Sequence, residues 1–341
     1  MRAVLGVDGG GTKTLAVVAD ETGRVLGLGR AEGTNYQGVG LVRAGIELKD
    51  AIDRAIAAAG LKPEDITAAG YGISGADREK DFDTVNSYVE PANPAPHYIL
   101  VNDTTLALRA GTTDGVGVAM IAGTGSNTIG FNEKKEEAKV GGMGPITGDY
   151  GSAADIAMAG IVASAKSLDG RGPKTILVQM FCEAFGAAEL LDLMDFTFVD
   201  NYKPMDVGIY APVVFKAANK GDRVALAILR HTGRLLAHDA ITCIRRLFPK
   251  DAASIHVVLG GSVFQKGENP TLVDTLTAGI KAKYPQVKVT RLTAEPVFGA
   301  VLFALDALYG KPTPADVAAL ADRTLKEAMS REPRTEDPQT E

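Results

Sequence analysis

Three consecutive glycines sit between an aspartate and a Thr-Lys-Thr run near the start of the chain, Asp8-Gly9-Gly10-Gly11-Thr12-Lys13-Thr14. Each glycine gives up more backbone freedom on ordering than any other residue, so such a run weakens both strand and helix. Apolar runs flank it, Ala3 to Val7 before and Leu15 to Ala19 after, both of strand length and composition. The segment therefore reads as a β-hairpin with a tip made almost wholly of backbone. A Walker A loop is excluded, because Lys must follow the last Gly directly and a helix must come next. Here Thr12 intervenes and a strand follows. The missing helix also excludes a dinucleotide fingerprint. What remains is a tip rich in N–H groups, with the Thr12 and Thr14 hydroxyls and the Lys13 ammonium as further donors, suited to wrapping a polyphosphate. An ordinary hairpin turn is the alternative, since hairpins favour glycine, though rarely three beside an aspartate.

The pattern beyond the hairpin is α/β. A third short strand, Val25 to Leu28, completes a meander, and apolar residues at helical spacing run from Leu41 to Ala59, where Gly60 stops them. Strands are expected at about 67–73 and 97–102, with a helix between them from near Ala76. A second glycine-punctuated hairpin region covers about 116–141, and Gly151 to about Leu247 reads as almost entirely helical. Strand returns at Ser254–Leu259 and Val287–Leu292, each followed by helix, the last over Val297–Leu308. The polar stretch after Glu332 reads as disordered. At 341 residues the chain exceeds one comfortable core, so two domains are expected. Strand-rich blocks at both ends permit two halves of related architecture, although no short-period repeat is visible.

Several function classes fall away on composition. A net charge of −6 without a Lys/Arg stripe argues against nucleic acid, and the lack of an 18-residue apolar run argues against a membrane span. Charges and glycines in the first twenty residues do not suit a signal peptide, so a cytoplasmic protein is expected. Cys182 and Cys243, far apart on expected helices, support neither a disulfide framework nor a thiolate metal site and read as two buried reduced thiols. The four histidines do not cluster.

Four further segments carry chemistry. Gly123-Thr124-Gly125-Ser126-Asn127 follows a buried run and repeats the hydroxyl-rich, N–H-rich chemistry of the first loop about 110 residues on. The run Tyr98 to Val101 leads into Asn102-Asp103-Thr104-Thr105, an acid where a strand gives way to a helix. Strand C-termini are where ligands sit in α/β sheets, so Asp103 is placed to accept a proton, or it caps the helix. Gly141-Gly142-Met143-Gly144 with Gly148-Asp149-Tyr150-Gly151-Ser152 introduces the first long helix. Asp149 or Ser152 caps that helix, or the loop lines a pocket for a polyhydroxylated substrate. Finally, Leu259-Gly260-Gly261-Ser262-Val263 is a strand, a bend and a helix start that admits a flat purine or ribose.

In order, these segments resemble the sugar kinase, heat-shock protein 70 and actin superfamily, in particular the N-acetylglucosamine kinase branch related to the BadF/BadG/BcrA/BcrD ATPases. The resemblance covers about residues 3–310 and adds Gly33-Thr34-Asn35-Tyr36 as a sugar loop. It implies an α/β fold of two ribonuclease-H-like (actin-like ATPase) domains, each a mixed five-stranded sheet flanked by helices, with a cleft between them. The N-terminal domain would span 1–115 with the C-terminal helix 297–310, and the C-terminal domain 116–296 with a helical insertion, ahead of a disordered tail at 330–341.

The implied activity is ATP-dependent phosphorylation of the 6-hydroxyl of N-acetylglucosamine or a related hexosamine, with Asp103 as general base. The implied sugar ligands are Asn35, Asp103, Ser126, Asn127, Gly142, Met143 and Asp149. ATP would be held by Gly10, Gly11, Thr12, Lys13, Gly123, Thr124, Gly125, Gly260, Gly261 and Ser262, and Asp8 would hold Mg²⁺ through water. A homodimer is implied. Met143 stands where mammalian members carry tryptophan, so glucosamine, N-acetylmuramic acid and glucose stay open as acceptors. An ATPase activator and a non-catalytic sugar-binding module are the readings of other classes. The cysteines of iron–sulfur dehydratase activators and the four-ligand zinc motif of other bacterial sugar kinases are missing.

Overall fold

The computed structural model describes residues 2–192 and 204–331. Its contacts divide the chain into two units, Met1–Val116 with Ala294–Glu341, and Gly117–Thr293. The first unit opens with the meander β1 (Ala3–Gly9), β2 (Lys13–Asp20) and β3 (Val25–Glu32). The short α1 (Tyr36–Val39) and the long α2 (Leu41–Ala58) follow, then β4 (Ile66–Ile73), α3 (Glu79–Ala92), β5 (Tyr98–Asn102) and α4 (Asp103–Gly111). Sheet order is β3-β2-β1-β4-β5, with β1 antiparallel to β2 and parallel to β4. Along α2, Ala44, Leu48, Ala51, Ile52 and Ala55 are buried, the 3–4 spacing that turns one helical face onto the sheet.

The second unit repeats this topology with different residues. It contains β6 (Gly117–Ala122), β7 (Ser126–Phe131), β8 (Glu137–Gly141), α5 (Ala153–Leu168), α6 (Leu177–Phe185), α7 (Ala211–Asn219) and α8 (Arg223–Leu247). Then come β9 (Ile255–Gly260), α9 (Ser262–Lys266), α10 (Thr271–Lys281) and β10 (Val287–Arg291). Sheet order is β10-β9-β6-β7-β8, again a meander joined to parallel strands through its first member. The chain then returns to the first unit with α11 (Pro296–Tyr309) and α12 (Ala315–Arg331).

Helix α11 lies directly on the first sheet because glycines let it. A Cβ on Gly6 of β1 would stand 2.5 Å from Val301 N, and one on Gly70 of β4 would run into Ala300 O. Arg109 of α4 is buried and pairs bidentately with Asp306 of α11, Nε and Nη2 each at 2.8 Å, joining these two helices. Helix α12, which no expectation covered, closes the unit's rim, with Val25 N donating to Thr324 Oγ1 at 3.0 Å. Of the cysteines, Cys243 is buried, but Cys182 is only partly so, because it lies near the end of the short α6. Among the described residues no helix is long and apolar enough to cross a membrane. The stretch expected to be disordered lies outside the described residues, apart from the last turn of α12.

Candidate active site

In the first unit the three-glycine run is a hairpin tip, as its flanking patterns require. Gly10 N donates to Lys13 O at 2.9 Å, and Gly10 O accepts from Thr34 N at 3.0 Å and Asn35 N at 3.3 Å. The bare backbone is therefore covered in part by the chain's own 33–35 segment. A Cβ on Gly9 would strike the Thr34 side chain, and one on Gly33 would strike Gly11 O. Gly11, Thr12 and Lys13 stay exposed. Thr14 does not join them as a donor, because its hydroxyl is buried and committed to Glu32 O at 2.8 Å and Thr34 Oγ1 at 3.1 Å. Asn35 caps α1, its Oδ1 accepting from Gln37 N at 3.0 Å, and its Nδ2 donates to Ser74 Oγ at 3.4 Å.

Asp103 is the first residue of α4, but the cap is Asn102, whose Oδ1 accepts from Thr104 N at 3.0 Å. The Asp103 carboxylate also accepts from Thr104 N, at 2.9 Å, so its charge sits at the positive end of a helix. Asn102 is buried, and its Nδ2 donates to Ala76 O at 3.2 Å and to Asp77 Oδ1 at 3.0 Å. Asp8, near the end of β1, has its carboxyl pushed up to about 7, first by burial and then by Asp103 and Glu295, with Lys13 opposing. The residues of the first unit that sequence singled out thus fall at one end of its sheet, the C-terminal ends of β1, β4 and β5.

Sequence reasoning missed the turn after β4, Ser74-Gly75-Ala76-Asp77-Arg78, which reaches from Asn35 to Asn102. It also missed Glu295, which precedes α11. The signal for the turn was present: an apolar strand ending in Ser-Gly is the same strand-to-helix switch that drew notice to Asp103.

In the second unit, Gly123–Gly125 forms the turn between β6 and β7, with Gly123 N donating to Gly125 O at 2.9 Å. Gly123 O accepts from Ala153 N at 2.8 Å, which fixes the loop on the start of α5. A Cβ on Gly123 would lie 3.6 Å from Ser262 Oγ, so the second glycine loop and the Gly260-Gly261-Ser262 bend adjoin. Gly261 has φ +92°, and a Cβ there would run into Ala122 O, so the bend requires glycine.

The expected sugar-side residues of this unit also assemble. Asn127 pairs in register with Gly141, and a Cβ on Gly142 would be 2.6 Å from Asn127 Oδ1. Ser126 Oγ donates to Tyr150 O at 3.1 Å. The cap of α5 is Ser152, in a reciprocal box with Asp155. Asp149 instead buckles its own loop, Oδ2 accepting from Met143 N and Gly144 N, both at 2.6 Å. Met143 is left 74% exposed. Asp239 of α8 was not foreseen. Its carboxyl is pushed up to about 6, first by burial, with His238 opposing and Asp149 adding to the rise.

The chain matches the BadF/BadG/BcrA/BcrD ATPase family over residues 5–304. It is 32% identical over 313 residues to the N-acetyl-D-glucosamine kinase of Dictyostelium discoideum, covering 89% of this chain and 97% of that protein. It is 29% identical over 309 residues to the N-acetylmuramic acid/N-acetylglucosamine kinase of Clostridium acetobutylicum, covering 89% and 98%. In fold it is similar to a Chromobacterium violaceum protein solved under the provisional description of an N-acetylglucosamine kinase. The TM-score there is 0.69 at 24% identity, over 89% of this chain and 99% of that one. With the family matched over nearly its whole folded length, and with two sheets of one shared topology, the chain belongs to the BadF/BadG/BcrA/BcrD ATPase family.

Proposed function

We propose that this protein is an ATP-dependent amino-sugar kinase that transfers the γ-phosphoryl group of ATP to the 6-hydroxyl of N-acetylglucosamine or a related hexosamine. One observation carries the reading. Asp103 is a partly buried carboxylate at the C-terminal end of a parallel strand, with its charge braced by the start of α4, in the same unit as the glycine hairpin and Asp8. Two relatives of near-full coverage named as kinases of N-acetylated amino sugars support the substrate class.

In this reading Asp103 accepts the proton of the sugar hydroxyl as that oxygen forms its bond to the γ-phosphorus. The bond to the β-phosphate oxygen breaks and ADP leaves. In the first unit Thr12, Lys13 and the Gly11 N–H are the phosphate-binding groups, with Gly10 shaping the tip through its bond to Lys13 O; in the second unit they are Gly123, Thr124 and Gly125. Gly260, Gly261 and Ser262 take the adenosine. Asn35, Ser126, Asn127, Gly142, Met143 and Asp149 hold the sugar, Asp149 chiefly by fixing the 142–149 loop.

The residues present fit Mg²⁺. Burial, with Asp103 and Glu295 nearby and Lys13 opposing, drives Asp8 toward its neutral form, which a bound cation would relieve. Among the described residues no three or more metal-ligating groups converge, which suits an ion that keeps most of its water. Asp8 would hold that hydrated ion, and its charge would offset that of the transferred group. A cytoplasmic homodimer belongs to the same reading and rests on family resemblance.

A coupled ADP-release assay over a panel of hexoses and amino sugars tests the reading. Amino sugars are expected to stimulate release. A positioned base contributes about 10²–10⁴-fold, so Asp103→Asn should cost at least about a hundredfold in kcat while leaving ATP binding intact. ATP hydrolysis indifferent to every sugar would refute the kinase assignment.

A further inference from the structure

In the first unit one buried threonine stands between the hairpin tip assigned to phosphate and the loop assigned to sugar. Thr34 is 0% exposed, and its N–H, hydroxyl oxygen and carbonyl each meet a different partner. The N–H donates to Gly10 O at 3.0 Å, and Oγ1 accepts from Thr14 Oγ1 at 3.1 Å, so backbone and side chain both grip the hairpin. The hydroxyl fills the room that a Cβ on Gly9 would need. On the other side, Thr34 O accepts from the Tyr88 hydroxyl of α3 at 3.0 Å.

Tyr88 reaches Thr34 because α2 lets α3 come close: a Cβ on Gly45 would stand only 3.3 Å from Tyr88 Cβ. Burial pushes the Tyr88 hydroxyl up, with Tyr36 adding to the rise, so it stays a donor at any working pH. The same helix also holds the far side of the loop. Asp81 of α3 is buried, its Oδ1 accepting from Tyr36 OH at 3.1 Å and its carboxylate fixed by Arg78 Nε and Nη2 at 2.7 and 2.8 Å. Asn35 therefore lies between two residues held by α3, and its own N–H shares Gly10 O with Thr34, at 3.3 Å. The acceptor loop and the phosphate tip meet at one carbonyl, and Thr34 ties that carbonyl to α3.

Taking the kinase reading as its basis, we propose that Tyr88 is a positioning residue of the transfer step, acting through Thr34 to keep the acceptor loop and the phosphate tip in register. Neither residue touches a substrate in that step. What they set is the separation between the sugar hydroxyl and the γ-phosphorus. Reacting atoms must come within about 3–3.5 Å, and a misplacement of about 1 Å costs on the order of a hundredfold in rate. Lost register also favours water over sugar. Water then gives its proton to Asp103 and its oxygen to the γ-phosphorus, the bond to the β-phosphate oxygen breaks, and inorganic phosphate leaves with ADP.

Tyr88→Phe removes one hydroxyl from the brace, Thr34→Val removes the other, and Thr34→Ser restores it. The test measures kcat for N-acetylglucosamine phosphate and the ADP formed per sugar phosphate, at a temperature where melts show each protein folded. Calorimetry supplies Kd for N-acetylglucosamine alone and for a non-hydrolysable ATP analogue alone. Tyr88→Phe and Thr34→Val should each lower kcat at least about tenfold and at least double the ADP formed per sugar phosphate, with both Kd values within about threefold of wild type. Thr34→Ser should recover kcat to within about threefold. The double variant should lose little more than either single one, because the two hydroxyls serve one brace. A kcat within about twofold of wild type overturns the proposal, as does a loss accompanied by equal weakening of both Kd values at an unchanged product ratio. If Tyr88→Phe does not fold, Thr34→Val and its serine rescue decide by the same criteria. Should no sugar stimulate ADP release in the wild-type protein, the kinase reading fails and the proposal with it, whereas failure of the proposal alone leaves wild-type transfer intact.

Discussion

Replacing Arg109 by methionine removes the ion pair that ties α4 to α11, and the cost can be worked from its contacts. The guanidinium makes two bonds of 2.8 Å to Asp306 and one of 3.0 Å to Thr112 O. Breaking a buried pair from one side costs about 3–5 kcal/mol, because the partner charge is left uncompensated. Asp306 is not left bare: Thr313 N and Oγ1 each donate to its Oδ1 at 2.7 Å, and its side chain is 22% exposed. Those features place the loss near the lower end, about 3 kcal/mol, with about 1 kcal/mol more for the Thr112 carbonyl. For a unit of this size that corresponds to a fall in Tm of roughly 10 °C.

Calorimetry and urea melts, on Arg109→Met, Asp306→Leu and the pair together, measure this. The double variant should recover most of the loss, since an apolar pair of similar volume is often close to neutral. A single-variant cost below about 1 kcal/mol, or simple additivity in the double variant, would refute the account. Asp103 lies at the other end of α4 under the control of Asn102, so kcat at a temperature where the variant is folded should change less than about tenfold.

Gly261→Ala should destabilise by about 1–3 kcal/mol, because φ +92° is costly for alanine and its Cβ meets Ala122 O. It should also raise KM for ATP at least tenfold while leaving KM for sugar near wild type, as steady-state kinetics would show. Asp8 gives a pH signature in metal-free protein. Its folded pKa, about 7, lies above the ordinary carboxylate value of 3.8, so the folded state binds the proton more tightly. Stability from this group is therefore present at low pH and is lost as pH rises from about 4 to 7. Urea melts in chelator should show that decline, and Asp8→Asn should flatten it.

What could be read before folding was what lies within a few residues along the chain. The Asp8 hairpin was legible because glycine run, strand patterns and missing helix are local, and Asp103 because a strand ended there. Thr14 was misjudged as a ligand donor because its partner, Thr34, lies twenty residues away. The choice between Asp149 and Ser152 as cap of α5 needed the loop to close, since only then do the Met143 and Gly144 amides reach the carboxylate. Helix α12 escaped notice because a mostly exposed helix carries little apolar pattern; only Ala321 and Leu325 are buried along it.

The amino-acid order alone determined the class of fold and most of the groups proposed to bind or transfer phosphate, since those depend on short-range backbone chemistry. Tertiary structure decided which donors stay available and which are spent. It turned Asn102 into the brace between Asp77 and Asp103 and set Arg78 on Asp81. It also revealed two sheets with one topology under unlike sequences. A hydrogen bond is satisfied by whatever partner the fold brings within about 3 Å, and that proximity is written in no single stretch of chain.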